Sequence, residues 1–261
     1  MTDRPREVSI RAFPSNRRLV TAAMRAGRRM TPMHGLVDVD VTEAVRLLGH
    51  HDPPLSFSAF VVASVARAAA ADPAVHAYRD WRGRLVTHRH VDVTTIVEIE
   101  TPDGPFPLAH VVRDADVRTV ADLSDELRHV KSDPRTSGSG RLVAKGAPIA
   151  ARIPGAIPTM YRLMARSVRL RRQIGTVAVT AVGMFGGGGG FGISAPSLMS
   201  LQVLVGGISP RPRAVDARVE IRDVLDLTIT IDHDVIDGAP AARFGADLRR
   251  RLETAEVLLD R

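Results

Sequence analysis

The sequence predicts an α/β or α+β fold, and three observations carry that expectation. Residues 58–71 are almost continuously apolar, which reads as a helix buried on most of its sides. The run Leu227-Thr228-Ile229-Thr230-Ile231-Asp232-His233 alternates apolar and polar residues, which reads as a strand with successive side chains on opposite faces. Segments of these two kinds are intermixed along the chain, so helices and strands share one core.

Taken in order, Ser15 follows Pro14 and is a candidate N-cap for a basic helix over 17–30. Residues 36–42 alternate as a strand, and Thr42 starts a short helix. The 58–71 helix ends at Asp72-Pro73, where proline cannot continue it. Residues 85–87 and 91–100 read as a strand pair, with the turn Thr101-Pro102-Asp103-Gly104-Pro105 closing it. Another strand covers 108–112, and Thr119 caps a helix to about residue 130. A Pro/Gly/Ser-rich stretch from Asp133 to Gly140 is expected to be mobile. Residues 158–173 read as an amphipathic helix, with Ile157, Met160, Tyr161, Met164 and Val168 on one stripe and Arg162, Arg166 and Arg169 on another. A strand at 177–182, a glycine run, a strand at 202–205, the strand ending in His233 and a helix from Pro240 to about residue 256 complete the chain. No internal repeat is found.

Composition narrows the function classes. The 261 residues suffice for one large domain or two small ones, and 44% hydrophobic with 25% charged residues is an ordinary globular balance. No run of eighteen apolar residues exists, so no helix is expected to span a membrane, and the first residues lack an apolar signal core. The chain has no cysteine, which removes disulfides, thiolate nucleophiles, cysteine-ligated zinc and iron–sulfur clusters. A cytoplasmic location is expected. The net charge of +7 sits mainly in one segment: between Lys131 and Gly175 there are ten Lys/Arg against one acid, Asp133. With 4% aromatic residues and no nucleic-acid motif, nucleic acid is not expected as the partner of that segment.

The alternating run places a titratable imidazole at a strand terminus just before a turn, and an imidazole is the side chain best suited to act as a base near pH 7. Asp237 follows in an Asp-Gly turn, and Pro240 opens the next helix. Both residues also have structural readings. His233 fits a satisfied histidine at a strand end, and Asp237 fits a carboxylate stabilising a helix N-terminus. Alternation turns Asp232 and Asp234 away from His233, and a single imidazole is a poor metal signal, so no metal is expected. Gly187-x-Gly189-x-x-Gly192 has dinucleotide-like spacing, but Ile193-Ser194-Ala195-Pro196 follows where that motif requires a helix. No Gly-Lys-Ser/Thr loop or Gly-x-Ser-x-Gly elbow is present.

Taken together, these residues resemble the catalytic domain of the dihydrolipoyl acyltransferases, the core subunits of 2-oxo acid dehydrogenase complexes, and more distantly chloramphenicol acetyltransferase. The signature Asp-His-Arg-x-x-Asp-Gly is matched from Asp232 to Gly238 except at Asp234. Thr101-Pro102-Asp103-Gly104, Ala115-Asp116 with Leu123, 176–183, Ala241-Ala242-Arg243-Phe244 and Val257-Leu258-Leu259 resemble further family segments, in family order. The resemblance implies a chloramphenicol acetyltransferase-like two-layer sandwich, a mixed sheet flanked by helices. It divides the chain into an N-terminal arm at 1–14 and an acyltransferase domain at 15–261, with a basic insertion at about 132–174.

It further implies a homotrimer, or a larger assembly of trimers, with the site between two copies. His233 is then the general base, Thr180 stands where the family has a serine that donates to the oxyanion, and Asp237 supports the site. By itself Thr180 reads as an ordinary β-branched strand residue. The resemblance also pairs Asp237 with an N-terminal arginine, Arg18 or its neighbour Arg17. Coenzyme A or acyl-CoA is the implied substrate. Neither Lys131 nor Lys145 lies in a lipoyl-attachment context and no lipoyl domain precedes Ser15, so the expected acyl source is a free acyl-CoA or a lipoyl domain on another chain. The basic insertion is expected to pack on the domain or to meet an acidic partner, a membrane surface or coenzyme A phosphates. Departures from the family are Asp234 for arginine, Ala181 for asparagine and His110 for proline. They motivate a rival expectation: a catalytically degenerate homologue acting as an oligomeric scaffold or acyl-CoA-binding regulator.

Overall fold

Alternating strand segments far apart in sequence meet in one mixed sheet, seen in a computed structural model that describes residues 8–9, 15–100, 105–138, 153, 155–183 and 188–259. The strands are β1 (Pro32–Asp40), β4 (Val93–Ile99), β5 (Phe106–Val112), β6 (Val177–Ala181), β7 (Leu201–Val215) and β8 (Arg218–Asp232). Their order across the sheet is β1-β8-β7-β6-β4-β5, and β6 runs parallel to both its neighbours while the other pairs are antiparallel. A separate two-stranded hairpin joins β2 (Tyr78–Arg79) to β3 (Leu85–Val86). The expected pairing of the 85–87 strand with the next one is therefore corrected: its partner is β2, and β4 pairs with β5.

The helices are α1 (Ser15–Gly27), α2 (Thr42–Gly49), α3 (Phe57–Ala71), α4 (Val120–Ser132), α5 (Ala156–Arg166), α6 (Val168–Arg171) and α7 (Gly238–Thr254). Ten of the fifteen residues of α3 are buried, as its apolar sequence requires. Ser56 caps it by accepting from the Ala59 N–H, and Thr119 caps α4 by accepting from Asp122. Leu225, Leu227, Ile229 and Ile231 of β8 join Leu201, Val203, Val177 and Val179 in one row across the sheet, and this row forms a single core with α3 and with Phe244, Leu248 and Leu252 of α7. Burying such side chains is worth roughly 1.5–3 kcal/mol each, which makes this layer the main source of stability.

The opposite sheet face is buried but polar. Asp226, Thr228 and Thr230 lie along it. The chain at 188–192 crosses it, Gly190 donating to Asp226 Oδ2 at 2.6 Å while Gly192 lies against Leu204. No helix follows the glycine run among the described residues, which removes the dinucleotide-binding context.

The basic segment differs from its expectation in two places. Asp133 caps a turn at Pro134–Thr136 instead of opening a mobile stretch. Ser137 is buried against His110, whose other nitrogen lies 2.7 Å from Glu126 Oε1. Burial works to raise the Glu126 pKa, but hydrogen bonds from His110 and Arg118 outweigh it and hold the carboxyl below its usual range. The 158–173 helix is also broken, because Ser167 leaves the helical conformation and caps α6. Residues 101–104, most of the N-terminal arm, and 139–152 lie outside the described residues.

Candidate active site

β8 delivers His233 to the end of the sheet. The strand stops at Asp232, so His233 opens a turn instead of closing the strand, and it is exposed to solvent. The turn is fastened to Thr31, just ahead of β1. The His233 N–H donates to the Thr31 carbonyl at 2.8 Å, and the Thr31 N–H donates to Asp232 Oδ1 at 3.1 Å. The Thr31 hydroxyl donates to Asp234 Oδ1 at 3.1 Å, and Arg79 donates to Asp234 Oδ2 at 2.6 Å. Asp234, the charge reversal in the signature, is thus neutralised by an arginine from the β2–β3 hairpin.

Asp237 occupies the N-cap position of α7 in extended conformation, yet its side chain caps no backbone N–H and is exposed. The helix-capping reading is therefore not how this carboxylate is used. Arg18 is exposed on α1, and no ion pair joins Arg17, Arg18 or Asp237 to any described residue of the same chain.

Thr180 sits on β6 and is half-buried. Its register partners are Leu204 on β7 and, one strand further, Thr228 on β8. It therefore shares the polar face, while its neighbour Ala181 packs towards the core on the other side. The missing asparagine thus lies on the face away from the Thr180 hydroxyl. His233 is five residues beyond Thr228 along β8. At about 3.3 Å per residue and about 4.8 Å per strand, Thr180 and His233 of one chain are on the order of 19 Å apart. The fold brings His233 together with Asp232, Asp234, Thr31 and Arg79, but it does not bring His233 to its own Thr180.

Nearby, Arg171 is buried with no carboxylate against it among the described residues. Its guanidinium donates to the Leu198 carbonyl and stacks 4.5 Å from the Tyr78 ring. Burial pushes its pKa down to about 10, against the opposing pull of Tyr78 and Asp232. Thr31, Arg79 and Arg171 were not signalled by any motif, because each reaches the site through contacts distant in sequence. No group of three or more His, Cys, Asp or Glu residues able to hold a metal occurs among the described residues. No helix among them is long and apolar enough to cross a membrane.

A mixed sheet backed by helices, with an exposed histidine just past a strand end, is the arrangement this chain presents for comparison with known proteins. Residues 165–259, which contain Thr180, His233 and Asp237, match the family model described as 2-oxoacid dehydrogenases acyltransferase (catalytic domain). The match begins inside the basic stretch. The dihydrolipoyllysine-residue acetyltransferase component of the pyruvate dehydrogenase complex from Corynebacterium glutamicum is 24% identical over 250 residues, covering 89% of this chain and 31% of that protein. The chain thus spans about a third of the length of that relative. Among solved structures, the cubic core of a pyruvate dehydrogenase multienzyme complex superposes with a TM-score of 0.71 at 20% identity, over 100% of this chain and 98% of that one. The dihydrolipoamide acetyltransferase of Azotobacter vinelandii gives 0.72 at 19% identity, with the same coverage. At these identities the structural likeness establishes the fold.

Proposed function

We propose that this chain is a CoA-dependent acyltransferase that moves an acyl group between coenzyme A and a second thiol, such as a dihydrolipoyl group, or another small acceptor. The observation that carries the reading is the placement of His233. It is solvent-exposed, its turn is held by Thr31 and Arg79, and it lies in the family-matched segment together with Thr180. The solved Azotobacter vinelandii enzyme supports it, since that work concerns the role of a serine, a histidine and an asparagine in its mechanism, the last two spaced four residues apart as His233 and Asp237 are.

In this reading His233 takes the proton from the attacking thiol. The sulfur adds to the thioester carbonyl, and the negative charge moves to the carbonyl oxygen. The Thr180 hydroxyl of a neighbouring copy donates a hydrogen bond to that oxyanion. Collapse restores the carbonyl and expels the other thiolate, which takes up the proton that the imidazolium received from the attacking thiol. The separation of about 19 Å within one chain is why a neighbouring copy is invoked, and a homotrimer or a larger assembly of trimers supplies it. Asp237, without a cap to make, is free to meet Arg18 across or within that assembly. Coenzyme A is the substrate, and the location is cytoplasmic. The degenerate-scaffold alternative loses its main motive, because Asp234 is paired and Ala181 lies off the Thr180 face.

Steady-state turnover of acetyl-CoA with dihydrolipoamide tests the reading. His233→Ala is expected to abolish transfer, and Thr180→Val to lower kcat by about 10²–10³. Equal rates in native and His233→Ala protein would remove the histidine from the mechanism.

A further inference from the structure

An exposed catalytic histidine on a turn is useful only if the turn is rigid, since a displacement of about 1 Å can lower a rate by roughly 10²-fold. Within one chain, where His233 is exposed, ring packing does not supply that rigidity. The sequence around His233 supplies it with two carboxylates instead. Asp232 Oδ1 accepts from the Thr31 N–H and from the Asp234 N–H at 3.2 Å, closing the turn on itself. Asp234 is then gripped from two other elements, by the Thr31 hydroxyl and by Arg79. Thr31 therefore touches Asp232, His233 and Asp234 in succession, and the β2–β3 hairpin braces the turn from the far side.

The hairpin is itself rigid enough to serve as a brace. Asp80 is buried and accepts from the backbone N–H groups of Arg82 and Arg84 and from the Arg84 side chain, all near 2.9 Å. On its other side Tyr78 lies against the Arg171 guanidinium, whose own contact with the Leu198 carbonyl ties it to the segment entering β7.

We propose that Arg79 and Thr31 are positioning residues for His233, acting through Asp234, so that the arginine–aspartate pair between two elements does the work of holding the base. The inference rests on His233 being that base.

A charge-swap cycle tests this. In the assembled protein, Arg79→Glu and Asp234→Arg each place like charges face to face. Each is expected to lower kcat by about 10- to 100-fold while KM stays within about threefold, and the double swap to recover most of the loss. Arg79→Gln and Asp234→Asn serve if a swapped single fails to assemble, each expected to show a smaller kcat loss of the same kind. An exposed pair adds little to global stability, so unfolding midpoints are expected to stay within error. A readout independent of activity is the rate of diethyl pyrocarbonate labelling at His233, followed by peptide mass spectrometry. It is expected to rise several-fold in the singles and Thr31→Val, and to fall back in the double swap. Singles indistinguishable from native in both readouts, or singles impaired without recovery in the double, overturn the proposal. Retained activity in His233→Ala overturns the catalytic reading alone, because the labelling rates still judge the clamp.

Discussion

Acid should weaken this fold through one histidine that takes no part in the proposed chemistry. His76 ends the turn Pro73–His76 after α3 and is fully buried. Its Nδ1 lies 2.8 Å from Thr176 Oγ1, next to the start of β6, and its Nε2 has no partner among the described residues. Burial pushes the imidazole pKa down to about 4, and the neighbouring His88 adds to the effect against Asp116 and Asp72. The unfolded chain binds the proton near 6.5, so between about 6.5 and 4 the unfolded state carries a proton that the native state refuses. Stability from this group is complete above pH 6.5 and is lost as pH falls towards 4. The loss over that window is roughly 3 kcal/mol, from about 1.4 kcal/mol per unit. His76→Asn keeps a polar group beside Thr176 and removes the titration. Urea unfolding at fixed protein concentration measures the result from pH 7 to about 4. The native protein is expected to lose about 3 kcal/mol more than the variant, since carboxylates such as Glu126 titrate alike in both and cancel. A native-minus-variant difference that stays constant across the window refutes the reasoning.

Two packing predictions follow from the same layer. Gly183 closes β6 against the irregular pairing of β7, and a Cβ there would sit 1.8 Å from the Gly206 carbonyl oxygen; Gly183→Ala is expected to lose the native unfolding transition in circular dichroism, whereas Gly49→Ala, facing open space, stays within about 0.5 kcal/mol of native. Leu248 is fully buried in α7, and Leu248→Ala is expected to cost about 2–5 kcal/mol in chemical unfolding, with a value below about 1 kcal/mol contradicting its place in the core.

Much of the fold was legible because local signals agreed with tertiary burial. The apolar run of α3, the Thr119 cap and the alternation of β1 and β8 each named their element directly. The β7–β8 hairpin was not legible at its full length. Pro210 and Pro212 read as strand breakers, yet they lie beyond the point where β6 ends, so their missing N–H groups face no partner strand. Its turn uses Asp216 and Ala217, both with positive φ, where a glycine would have announced it. The burial of Arg171 was hidden for another reason: an arginine in a basic helical run reads as solvated, and only the break at Ser167 changes which way the chain presents it. At the site, His233 and Asp237 stood out through their spacing. Thr31 and Arg79 did not, since ion pairs between elements leave no periodic trace.

The proposed sharing of the site between copies can be tested directly. Thr180→Val and His233→Ala chains, co-expressed with different tags and purified through both, give hybrid trimers. In a cyclic trimer each hybrid holds one interface that joins an intact His233 to an intact Thr180, whichever chain is in the majority. The prediction is recovery to roughly one third of native turnover per chain from two parents that are nearly inactive. Hybrids no more active than the mean of their parents would place both residues at one chain's own site, or at none.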